Sequence, residues 1–134
     1  MTKRYDILFT TDRFNLSQPK EHFINECCYG DDMAAWLRGK LSGLGIHATE
    51  PRQEDWGWYM EVGHGQYTYF VGIGGNAENE SSGNLGEWRL MVEKHRSLKE
   101  KLTGKNQLAE NEEIISILKR LVEDAPDMKF IRIE

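Results

Sequence analysis

Apolar and polar residues alternate most clearly between residues 55 and 62 of this chain. The apolar positions lie two apart: Trp56, Trp58, Met60 and Val62. A period of two is typical of a β-strand that buries one face and exposes the other. We therefore predict a strand over 55–62 with both indoles on its buried face. Gly57 between the indoles indicates a bulge or a large group over that face, either an aromatic of this chain or a ligand or partner.

The same alternation predicts further strands at about 4–11, 67–73 and 87–93, and a last strand around 130–133. The stretch 46–54 is a weaker candidate because Pro51 interrupts it. Gly63 to Gln66 is typical of a hairpin turn. Three hairpin-linked strands in succession indicate an antiparallel sheet.

Helical spacing of apolar residues predicts two main helices. The first begins at Asp31-Asp32, which we expect to act at its amino terminus, and ends at Gly43. The second spans about 111–124, with Asn111 as its cap and Pro126 after its end. A short helix before Gly104 is an open alternative for part of the polar stretch 94–110.

Two stretches are predicted to be loops, residues 12–30 and the polar segment from Gly74 to about Gly86, which we expect to be mobile rather than functional. Together the elements predict a single α+β domain over 1–134. Its sheet is antiparallel, the order is β-α-β-β-β-α-β, and both main helices pack on one face.

Composition narrows the classes of protein. The chain has 134 residues and a formal net charge of −5, which argues against general nucleic-acid binding. It has no apolar run of the ~20 residues that span a bilayer, so we expect no membrane partner. The two cysteines, Cys27 and Cys28, are adjacent, where a bridge is strained, and this favours reduced thiols and a cytoplasmic location.

No motif in the sequence assigns catalytic residues, a metal site or a cofactor. Phosphate-loop, dinucleotide and nucleophile-elbow patterns are missing, and the histidines and carboxylates lack metal-ligand spacing. Inert buried thiols are favoured over a reactive Cys27 or Cys28. The basic stretch from Lys94 to Lys105 lacks interleaved aromatics, so we interpret it as a solvated surface.

Charge distribution supplies the strongest functional signal. From Glu50 to Glu87 the chain carries seven acids and one base, Arg52, together with six aromatic residues. An acidic rim around aromatics suits a basic protein partner, although aromatics that simply face the core are the plainer explanation for most of these positions. Tyr59 and Phe70 are exceptions because alternation places them opposite the main apolar sets. The candidate binding residues are Glu54, Asp55, Trp56, Trp58, Tyr59, His64 and Phe70.

Two hypotheses follow. The first is a non-enzymatic protein-binding module that uses the sheet face left bare by the helices. The second is a small enzyme or ligand-binding domain in which Glu54, Asp55 and His64, with or without the Asp31-Asp32 helix start, form an acid–base or metal constellation. The second requires these groups to converge in one concave site.

Two short motifs carry a resemblance. Gly-Asp-Asp-Met-Ala-Ala-Trp-Leu at 30–37, together with Glu-Asp-Trp-Gly-Trp at 54–58, resembles small bacterial single-domain proteins of uncharacterised function. In size, acidity and architecture the chain is also similar to immunity proteins that neutralise bacterial toxins. That general likeness implies a protein partner and assigns no residue a role.

Overall fold

The structure, a computed structural model, describes residues 3–14, 30–77 and 85–134. Its strands are β1 (Arg4–Thr11), β2 (Arg52–Glu54), β3 (Gly57–His64), β4 (Tyr67–Ala77), β5 (Gly86–Lys94) and β6 (Met128–Ile133). Its helices are α1 (Asp31–Gly43), α2 (Leu98–Thr103) and α3 (Glu113–Asp124). All strand pairs are antiparallel. The predicted α+β class and antiparallel sheet are confirmed.

The order of strands in the sheet differs from their order along the chain. The spatial order is β2-β3-β4-β5-β1-β6, so the first strand lies between β5 and the last strand. Its four consecutive residues from Asp6 to Phe9 are all buried. A strand that is buried on both faces suits an interior position, whereas strand periodicity alone does not specify which strands are neighbours.

Both long helices pack on the same face of the sheet, as predicted. Buried residues of α1 and α3 share one hydrophobic core with the inward residues of β1, β3, β4 and β5. The sheet contributes Ile7, Phe9, Met60, Val62, Val71, Ile73, Leu90 and Val92; the helices contribute Met33, Leu37, Leu41, Ile114, Leu118 and Val122. We call the other side of β3, β4 and β5, which carries Tyr59, Phe70 and Met91, the open face.

The prediction that residues 55–62 form one strand with both indoles on its buried face is wrong at its start. Glu54 pairs with Gly57, so Asp55 and Trp56 form the two-residue turn between β2 and β3. Gly57 has φ 155°, and a Cβ there would collide with the carbonyl oxygen of Ile73. The alternation therefore starts after this glycine, and Trp56 lies on the open face instead.

Three local predictions need correction. Residues 74–77 continue β4 and are not a loop, because Gly75 leaves room for the ring of Trp88 on the neighbouring strand. Helix α1 begins at Asp31 and ends at Gly43 as predicted, but its capping residue is Gly30 and not an aspartate. Helix α3 begins at Glu113, two residues after Asn111, so its capping residue is Glu112 and not Asn111. The predictions for residues 15–29, including Cys27 and Cys28, and for residues 78–84 lie outside the described residues.

An ion pair between buried Lys94 and half-buried Glu112 ties β5 to the start of α3. Lys94 Nζ lies 2.9 Å from Glu112 Oε1 and 3.9 Å from the ring centroid of Tyr67. The hydroxyl of Tyr69 donates to the same carboxylate oxygen at 2.8 Å, and the N–H of Ala109 donates to Oε2 at 2.8 Å. Burial raises the pKa of Glu112, but these donors outweigh it and hold the pKa below 4.5. Burial, and then the nearby carboxylate, raises the pKa of Tyr69.

We expect Glu112→Ala to lower the free energy of unfolding by about 3–5 kcal/mol, because it leaves the ammonium of Lys94 buried without its partner. Glu110→Ala, which removes an exposed carboxylate nearby, should change it by less than about 0.5 kcal/mol. Urea denaturation measures both. Equal effects of the two substitutions would contradict the stabilising role of this pair.

The same carboxylate predicts a pH dependence. Because the folded-state pKa of Glu112 is lowered, its contribution is complete above the ordinary value of 4.5 and is lost as pH falls through the folded-state value. The stability difference between wild type and Glu112→Gln should therefore shrink as pH falls below about 4.5. Denaturation at a series of pH values measures it, and a constant difference would exclude this linkage.

Candidate functional site

A cavity of about 590 Å³ lies on the open face, across β3, β4 and β5. Residues from five strands and one turn line it: Arg4, Glu54, Trp56, Tyr59, Phe70, Gly72, Met91 and Glu93. Cross-strand pairing explains how they meet. Tyr59 faces Gly72, which faces Met91, and in the next row Phe70 faces Glu93, which faces Arg4. The volume is in the range of small-ligand sites.

Trp56 covers the floor of this cavity. Its indole lies over Gly72, where an added Cβ would come within 2.8 Å of Cη2 and 2.9 Å of Cζ3. The indole ring can therefore pack directly on Gly72 only because this residue has no side chain. The indole remains 52% exposed, so part of its aromatic surface is left for a bound group. Phe70 is held from the other side by an edge contact with His95, at 5.8 Å between ring centroids.

Among the described residues that line the cavity, two are carboxylates, and the one guanidinium, that of Arg4, is already bound to a carboxylate elsewhere. Arg4 Nε lies 2.9 Å from Asp6 Oδ1, and its Nη2 donates to Oδ2 at 3.1 Å. Arg89 also donates to Asp6 Oδ2, at 2.6 Å. Within residues 3–14, 30–77 and 85–134, by contrast, no ion pair engages Glu54 or Glu93. The cavity thus presents two uncompensated carboxylates next to aromatic surface.

The structure brings together four of the seven residues predicted to bind: Glu54, Trp56, Tyr59 and Phe70 line the cavity. Asp55 is exposed in the adjoining turn. Trp58 is only 6% exposed and lies on the helix-covered side, with its ring against Gly30 at the start of α1.

His64 lies away from the other candidates. It is at the far end of β3, about 23 Å from Gly57 at the usual rise per residue. There its Nε2 lies 3.3 Å from Glu113 Oε2, at the start of α3. The acid–base constellation of Glu54, Asp55 and His64 is therefore not assembled. Asp31 and Asp32 lie in the first turn of α1, on the helix-covered side.

Sequence reasoning missed Arg4, Gly72, Met91 and Glu93. The signal for two of them was present, because alternation in β5 places Met91 and Glu93 opposite Leu90 and Val92. Met91 and Glu93 come close to Tyr59 and Phe70 because β5 pairs with β4, and periodicity does not predict which strands pair.

No group of three or more histidine, cysteine or acidic side chains within the described ranges could hold a metal ion. In the same ranges, no helix has the length and apolar character needed to span a membrane. No protein-family model matches the chain, and neither the curated proteins nor the solved structures contain a match. The cavity itself is therefore the basis for a functional proposal.

We expect Gly72→Ala to displace the indole of Trp56, because the added methyl group would overlap its six-membered ring. Stability should change by less than about 1 kcal/mol, at the low end for overpacking, since the exposed ring can move into solvent. The Nε1–H resonance of Trp56 in a ¹H–¹⁵N spectrum measures the displacement. Gly63→Ala is the matched control, because nothing lies within 4 Å of its added Cβ. An unchanged Trp56 resonance in Gly72→Ala would contradict the packing of the indole on Gly72.

Proposed function

We propose that this protein is a non-enzymatic protein-binding module whose open face receives a basic partner. The observation that carries the proposal is the cavity in which exposed aromatic surface adjoins two carboxylates without ion-pair partners. Aromatic anchors in a partly formed pocket are the features that concentrate binding energy at protein interfaces. The surrounding negative charge selects partners of positive charge and speeds their association.

The distribution of chemistry in the fold supports binding over catalysis. The cavity combines carboxylates with aromatic and thioether side chains, and His64 lies in a different part of the molecule, beside Glu113. A general base must be within hydrogen-bond reach of its proton, and the proposed constellation does not meet that condition. No observation favours the enzymatic alternative enough to make it a second candidate.

A role like that of toxin-neutralising immunity proteins belongs to the same proposal. What supports it is the small size, the net charge of −5 and the α+β architecture. In such a role the open face would cover a basic surface of the toxin. The proposal places the partner in the cytoplasm and involves neither nucleic acid nor a membrane.

The test is quantitative capture from a cell lysate with immobilised protein. Wild type should retain a set of basic proteins at low ionic strength and release it as salt rises, since exposed charges are screened beyond about 10 Å at 0.1 M. The double substitution Tyr59→Ala and Phe70→Ala should retain at most a tenth of that set, because it removes two walls of the cavity.

Leu98→Ala is the matched control, since it removes an exposed apolar side chain from α2, outside the cavity. It should capture the same proteins as wild type. If the double variant folds and still retains the wild-type set, the open face is not the binding surface and the proposal is wrong.

A further inference from the structure

We propose that the cavity is an anchor site for an arginine side chain of the partner, which stacks on Trp56 and pairs with Glu54 or Glu93. This inference rests on the proposed function and specifies the chemistry that its site recognises. Three features carry it: the uncompensated negative charge, the geometry of the indole, and the apolar character of the remaining walls.

The carboxylates of the cavity favour a positively charged group of the partner. Among the described residues that line the cavity, Arg4 is the one basic side chain, and two of its nitrogens contact Asp6. Asp6 is nearly fully buried and receives Arg89 as well, so Arg4 is held where it is. Arg4 lies opposite Glu93 across the strands, but within the described residues neither Glu54 nor Glu93 makes an ion pair.

The spacing of the two carboxylates limits what one cation can do. Glu54 belongs to β2 and Glu93 to β5, three strand steps apart, and the register also offsets them by four residues along the strands. At the usual strand spacings their backbones are therefore about 19 Å apart. One guanidinium therefore pairs with one carboxylate at a time. The second carboxylate can then pair with another, more distant basic residue of the same partner.

The indole offers a ready stacking surface. Trp56 packs against the sheet over Gly72 and lines the cavity, and about half of the residue remains exposed. A cation within about 6 Å of an aromatic face is attracted by the ring, and tryptophan is the strongest such partner. Because the ring is already held in place, binding requires little further ordering of this side chain.

Arginine fits these walls better than lysine. The other walls are Tyr59, Phe70 and Met91, which cannot replace the water around a compact ammonium group. A guanidinium is more weakly hydrated, is planar, and stacks on aromatic faces while its edge donates to a carboxylate. The site should therefore prefer arginine to lysine and reject a neutral analogue of the same shape.

The experiment is an NMR titration of the ¹⁵N-labelled protein with Nα-acetyl-arginine methylamide, its lysine counterpart and its neutral citrulline counterpart. The arginine compound should shift the Trp56 Nε1–H and the Gly72 amide saturably, in the millimolar range. The lysine compound should bind at least threefold more weakly, and the citrulline compound should give no saturable shift. Equal binding of all three, or no shift at these two sites with arginine, would overturn the proposal.

Variants locate the interaction. Glu54→Gln and Glu93→Gln should each weaken arginine binding about twofold, and the double variant should lose it at least tenfold. Glu110→Gln removes one exposed charge outside the cavity and should leave binding unchanged. Trp56→Ala should abolish arginine binding, and the spectrum of this variant should remain as dispersed as that of wild type. If the double glutamine variant binds as wild type does, the carboxylates are not the recognition element.

The two proposals fail separately. In one outcome, the arginine compound fails to bind while the double variant Tyr59→Ala, Phe70→Ala still captures fewer basic proteins than wild type. In that case the proposed arginine site is wrong and the proposed protein-binding function is retained. If arginine binds at Trp56 while the lysate capture is unaffected by the aromatic substitutions, the cavity holds a small guanidinium ligand and the protein-partner proposal is wrong.

Discussion

The backbone conformation at Gly57 is the constraint on which the rest of the site depends. Its positive φ is available to glycine and is costly for other residues. It follows a two-residue turn and sends the two flanking indoles to opposite sides of the sheet, Trp58 into the core and Trp56 onto the open face. One residue without a side chain therefore couples the packing of α1 to the floor of the cavity.

Charged side chains on the two faces of the sheet have different surroundings. On the helix-covered side, Lys94 and Glu112 are paired and surrounded by donors and aromatic rings, an arrangement that fixes the position of α3. On the open face, Glu54 and Glu93 remain without such compensation. The Lys94–Glu112 pair and the carboxylates of Glu54 and Glu93 thus lie on opposite sides of the sheet, whereas the ion pairs of Asp6 with Arg4 and Arg89 lie on the side of the cavity.

Much of the fold follows from the sequence, and the failures have physical causes. Strand periodicity located β1, β3, β4 and β5 and put Tyr59 and Phe70 on the open face, because successive side chains alternate in direction. It misplaced Trp56 because a positive φ leaves no trace in hydrophobicity. It did not predict the neighbours of β1, because strand order within a sheet is set by long-range pairing. The cavity needed that pairing, since it joins residues from distant parts of the chain.

The central position of β1 has a consequence for how the protein folds. Leu8 pairs with Arg89 on one side and with Arg132 on the other, 81 and 124 residues further along the chain. Contacts of such long sequence separation slow folding, because chain entropy is lost before they form. The β3–β4–β5 hairpins can form early and present the β5 edge as a template. During synthesis, β1 cannot pair until β5 and β6 have been made. This delay makes it the segment most exposed to misassembly on the ribosome.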